Sequence, residues 1–143
     1  MCIGNRDGGD DAVGPYIADK LKSFENNDLV VIDCDVVPEN YTSLVKKYKP
    51  KNLIIIDATK MGLSPGEIRI VPKEKIGSMH MSTHCIPLSV LITYLESYAE
   101  NIVLIGIEPK SFSGKITNSV IKSGQRVVEI IKNRCLDEIE ALQ

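Results

Sequence analysis

The chain has no tryptophan, two phenylalanines and two histidines among 143 residues. With aromatics so scarce, a core has to be assembled from Ile, Val and Leu. No Cys-x-x-C pair is present; Cys2, Cys34, Cys85 and Cys135 stand singly. That excludes a zinc knuckle and a thioredoxin-like redox motif. No signal peptide is visible, so reduced thiols in a cytoplasmic protein are expected. The longest apolar run, around Leu53–Ile56, is far too short for a membrane span. Neither sign of charge dominates: 17 basic against 19 acidic side chains leave a net charge of -2. This balance argues against a general nucleic-acid binder, which needs a basic face. Repeats, low-complexity tracts and interior linkers are also missing, so residues 1–143 are expected to form one domain.

What the sequence does have is alternation. Continuous β-branched runs at Leu29–Ile32, Leu53–Ile56 and Ile102–Ile105 predict strands buried on both faces. Between them lie apolar stripes at helical spacing: Val13, Ile17, Leu21 and Phe24, then Leu88, Leu91, Ile92 and Leu95. A further helix is expected from about Thr117, with Val120, Val127, Val128 and Ile131 inward, and a weaker one over Tyr41–Lys47. Gly66–Val71 reads as an extra strand, suited to an antiparallel edge, and Met1–Ile3 as a stub of a first strand. The predicted fold class is α/β: a three-layer sandwich, its mostly parallel twisted sheet of about five strands covered by helices on both faces. In such sheets ligands lie outside the carboxyl ends of the strands. The loops leaving those ends are therefore where chemistry is expected.

The first of these loops, Gly4-Asn-Arg-Asp-Gly-Gly-Asp-Asp-Ala-Val-Gly-Pro15, has the glycines of a phosphate-binding turn but three carboxylates at its centre. They would repel a phosphate, and the glycines do not follow G-x-G-x-x-G. Asp10 or Asp11 could cap the first helix or face its dipole, but a single cap needs one acid, not two. Asp57 ends an apolar strand, where an unpaired carboxylate would be costly to bury. His84 precedes the Leu88–Leu95 helix at the same predicted edge. Two carboxylates and an imidazole from loops form an O,O,N set suited to an open divalent transition-metal site. Nucleophilic catalysis fits less well: Cys85 adjoins His84 in sequence, and Ser82 and Thr83 lack a G-x-S-x-G elbow.

Taken together, the motifs resemble the nickel–iron hydrogenase maturation endopeptidase family, of the hydrogenase 3 (formate hydrogenlyase) type. The carriers are Gly4-Asn5 with Asp11 and Gly14, Pro38-Glu39-Asn40, the segment Asp57–Arg69, Ser82-Thr83-His84-Cys85-Ile86-Pro87-Leu88, and Gly106-Ile107-Glu108-Pro109. The resemblance implies removal of a C-terminal extension from a hydrogenase large-subunit precursor once its metal centre carries nickel. It implies that Asp11, Asp57 and His84 bind that nickel, which the substrate presents, and that other divalent ions can occupy the site. Asp10 is left to cap or support. A monomer with neither a nucleic-acid nor a membrane partner is expected. The alternative is a nickel-binding maturation chaperone or checkpoint protein without proteolysis.

Overall fold

The computed structural model describes residues 1–77 and 86–143. Three strands form its sheet: β1 (Asn52–Ala58), β2 (Ile68–Val71) and β3 (Asn101–Ile107), in the order β1-β3-β2. β1 and β3 run parallel in register from Asn52↔Asn101 to Ala58↔Ile107. β2 is antiparallel to β3, as the Gly66–Val71 pattern predicted, and lies at the edge of the sheet. Its outer side is covered near Ile70 by the chain at Glu140–Leu142, so that part of the edge is not open to strand pairing.

The other two expected strands are reduced to isolated bridges. Cys2 makes one parallel bridge to Ile56 and another to Asp33. Five backbone hydrogen bonds of 2.8–2.9 Å hold Met1–Gly4 between β1 and the Ile32–Asp35 segment, from Ile56 N to Met1 O at one side to Gly4 N to Asp35 O at the other. Leu29 instead turns back on Asn26, and Asp35 takes a left-handed φ of 49°, so little extended chain remains between them. Among the described residues the sheet has three strands, not about five, because these segments are too short and too sharply turned to add full ladders.

Five helices accompany the sheet among the described residues: α1 (Val13–Leu21), α2 (Thr42–Tyr48), α3 (Lys73–Ile76), α4 (Leu88–Leu95) and α5 (Asn118–Lys132). Side chains along a strand alternate between faces. Accordingly Ile56 and Ala58 join α1 and α5 in one buried cluster, while Leu53 and Ile55 join α2 and α4 in another. α1 rests on α5 where Gly124 faces Tyr16 and Val13. The stripe of α1 ends at Leu21; the chain tightens into a 3-10 turn over Lys22–Phe24, which leaves Phe24 exposed. No described helix is long and apolar enough to cross a membrane.

Candidate functional site

The carboxyl ends of β1 and β3 are where this protein buries acids. Asp10, Asp11, Asp57 and Glu108 are all less than a tenth exposed, and Thr59 is fully buried beside them. Each is placed by a different local device.

Asp11 lies in a 3-10 turn, Gly9–Ala12, that leads into α1. The loop before it folds tightly against the first segment of the sheet. A Cβ on Gly4 would sit 1.9 Å from the Asp11 carbonyl oxygen, and one on Gly14 would sit 2.0 Å from that of Ile3. Only glycine permits backbones so close. The Asn5 amide donates to Asp11 Oδ2 at 2.9 Å, which orients the carboxylate. Arg6 fastens the outside of the loop, donating to Asp19 at 2.7 and 2.9 Å and to Asp33 at 2.5 Å. These hydrogen bonds hold the Asp19 carboxyl below its usual range.

Asp10, next door, has a structural occupation. Its carboxylate accepts from the amides of Lys110, Ser111 and Thr117, at 2.7, 3.1 and 2.6 Å, and from the Thr117 hydroxyl at 2.9 Å. Burial alone would push its pKa up, but these four donors outweigh it and the pKa is lowered. Asp10 thus binds the loop after β3, including the residue that precedes α5, rather than capping its own helix.

Asp57 occupies the penultimate position of β1, paired with Gly106 of β3. By strand alternation it shares its face with Leu53 and Ile55, the face on which α2 and α4 pack. The 3-10 turn carrying Asp11 packs against β1. Gly4, beside Asn5, lies one position past Ile3, whose amide donates to Ile56 O at 2.9 Å. The two predicted carboxylates therefore arrive at one end of one strand from separate elements. His84, the third predicted residue, lies outside the described residues. Among those that are described, no group of three or more His, Cys, Asp and Glu is arranged to hold a metal ion. Two buried carboxylates at one strand end match in kind the oxygen donors of a divalent site.

Glu108, in the Gly106–Pro109 motif, has a structural role. Its Oε2 accepts the Met61 amide at 2.5 Å, and its backbone pairs with Gly66 and Glu67 at 2.8 and 2.9 Å. It ties the chain leaving β1 to the chain entering β2. The available signal was an acid directly after an apolar strand, the same sign that singled out Asp57.

Cys2 and Cys34, the buried thiols among the described residues, offer no nucleophile here. Burial pushes Cys34 up to about 12 and also raises Cys2, so neither is a thiolate at neutral pH. Beside the acid-rich loop a cavity of about 360 Å³ opens between Gly4–Asp7 and the residues Asp33, Asp35 and Tyr41.

The hydrogenase maturation protease (HycI) family model matches residues 15–134. The chain is 41% identical over 110 residues to the hydrogenase 3 maturation protease of Escherichia coli K12, covering 76% of this chain and 70% of that one. A putative hydrogenase maturation protease of Methanocaldococcus jannaschii is 35% identical over 153 residues, covering 100% and 88%. The solution structure of the endopeptidase HycI from Escherichia coli superposes with a TM-score of 0.87 at 33% identity, covering 99% of this chain and 94% of the other.

Proposed function

The chain belongs to the hydrogenase maturation protease family, and from that premise we propose that it is an endopeptidase that trims a nickel–iron hydrogenase large-subunit precursor. In this reading it removes the C-terminal extension after nickel insertion, and the nickel arrives with the substrate. The observation that carries the reading is the convergence of Asp11 and Asp57, both buried, at the carboxyl end of β1.

The two acids are shielded from water, and there the attraction of a carboxylate for a cation is stronger than in bulk solvent. His84 supplies the third donor. Nickel held there would supply Lewis-acid chemistry, at the scissile carbonyl or at a water. This chain's own contribution is to hold the ligands rigidly: Asn5 orients Asp11, Asp10 locks the neighbouring loop, and Glu108 fixes the chain beyond Asp57. Metal brought by the substrate makes cleavage conditional on loading, because an unloaded precursor leaves the acids without their cation. For the fold, the reading takes Met1–Gly4 and Ile32–Asp35 as vestiges of two further strands in a three-layer sandwich. It also takes the protein to be a monomeric, cytoplasmic single domain.

Intact-mass measurement of the large subunit, with and without nickel, tests the function. The expected result is a shortened C-terminus only when this protein and nickel are both present. An unshortened, nickel-loaded subunit would contradict the endopeptidase reading and favour a chaperone or checkpoint role without proteolysis.

A further inference from the structure

The loop that Asp10 clasps carries charge of one sign. From Pro109 to Val128 the chain has four basic residues, Lys110, Lys115, Lys122 and Arg126, and no acid. Lys60, three residues past Asp57, joins them from the chain leaving β1. Its Nζ rests 5.3 Å from the centre of the Phe112 ring, and Phe112 packs against the cluster of α1 and α5. Further along the same chain, Gly66 O accepts the Ser123 hydroxyl of α5, and Ser64–Gly66 share with Lys122 the lining of a groove of about 590 Å³. Lys60, Lys110, Lys115 and Lys122 therefore follow one seam, between the chain joining β1 to β2 and residues 110–123.

All four lysines are exposed, and among the described residues none is in an ion pair. Each of the four arginines, by contrast, has an acidic partner. The backbone beneath the lysines is fixed. Lys110, Ser111 and Thr117 donate their amides to Asp10, and a Cβ on Gly9 would lie 2.7 Å from the backbone of Ser113. Charges carried on a fixed backbone lose less freedom when a partner binds. The other lysine run, Lys46–Lys51, lies at the amino end of the sheet, where Lys51 O accepts the Asn101 amide. Only the first group stands at the end where the acids are buried, and its charge is complementary to acidic side chains on an entering polypeptide.

We propose that Lys60, Lys110, Lys115 and Lys122 form an interaction surface for an acidic stretch of the precursor polypeptide flanking the bond to be cut, and so select among precursors. This rests on the endopeptidase reading above. It concerns the polypeptide and not the ion: the buried acids meet the cation, and the lysine rim meets the chain that brings it.

The test pairs two double variants with the same change of net charge. Lys60→Glu with Lys115→Glu reverses the rim, and Lys47→Glu with Lys51→Glu reverses the amino end. KM for the nickel-loaded large-subunit precursor is measured at low salt and at about 1 M salt, where the Debye length falls to about 3 Å. At low salt the rim variant should show a KM raised roughly tenfold or more with kcat little changed, and high salt should shrink the difference. The amino-end variant should track the wild type at both. Lys60→Gln with Lys115→Gln should move KM the same way by less, and it serves as the test if thermal melts show that the reversed rim weakens the fold. An unchanged KM in the rim variants, with the wild type trimming normally, overturns this inference and leaves the endopeptidase reading standing. An equal rise in the amino-end variant also overturns it, by showing that net charge and not the rim is felt. A wild type that trims nothing overturns the endopeptidase reading, and this inference falls with it.

Discussion

The two ends of the same parallel strand pair treat polar groups in opposite ways. At the amino end Asn52 and Asn101 are exposed and bridge each other at 3.1 Å across the surface. At the carboxyl end, six positions further along β1 and β3, Ala58 and Ile107 are buried and the neighbouring polar groups are acids removed from water. Water satisfies polar groups at the first end at no cost to the fold. At the second end partners have to come from the protein itself, and for Asp10 and Glu108 they are amides from distant segments. The difference teaches where the chain invests backbone precision: in the closely packed glycines, Asp10 and Glu108, all around the proposed site.

If this contrast is real, mutations at the two ends should differ sharply in cost. The largest effect on stability is expected for Gly14→Ala. Its Cβ would lie 2.0 Å from a backbone oxygen that has nowhere to go, and the loss should reach about 3 kcal/mol or more in denaturant unfolding.

Next comes Asp10→Ala, which leaves three amides and a hydroxyl without their acceptor and should cost about 2–3 kcal/mol. Its signature is in the pH dependence. Because the folded state lowers the pKa of Asp10, this carboxylate contributes stability above its unfolded value of about 3.9, and the contribution is lost as pH falls through the lower folded value. Wild-type unfolding free energy should therefore decline more steeply below about pH 4 than that of Asp10→Asn. Parallel slopes would show that Asp10 is not the clasp its contacts describe.

The smallest effect is expected at the opposite end. Asn101→Ala removes one solvent-exposed side-chain hydrogen bond and should change stability by no more than about 0.5 kcal/mol. A cost comparable to that of Asp10→Ala would erase the distinction between the two ends.

The sequence made much of this framework legible because it is written in local periodicity. The apolar runs behind β1 and β3, the antiparallel β2 after its Pro-Gly turn, and the stripe of α4 all lie where their patterns placed them. What periodicity could not show was the shortness of the first two sheet segments. That depends on the Asn26–Leu29 turn and on the left-handed Asp35, not on the β-branched run itself. The burial of the candidate acids was legible to a similar depth. Position at a strand end was enough to nominate Asp57, and redundancy enough to notice the Asp10–Asp11 pair. The division of labour between those neighbours was hidden, because the donors to Asp10 come from residues more than ninety positions away.

The central claim is that the buried acids of the carboxyl end serve a substrate-borne cation as well as the fold. The most direct measurement is trimming of a nickel-loaded large-subunit precursor by Asp57→Asn, with thermal unfolding of the same preparation to confirm that it is folded. The account predicts a folded protein whose trimming rate falls by about a hundredfold or more. Trimming at the wild-type rate would contradict it.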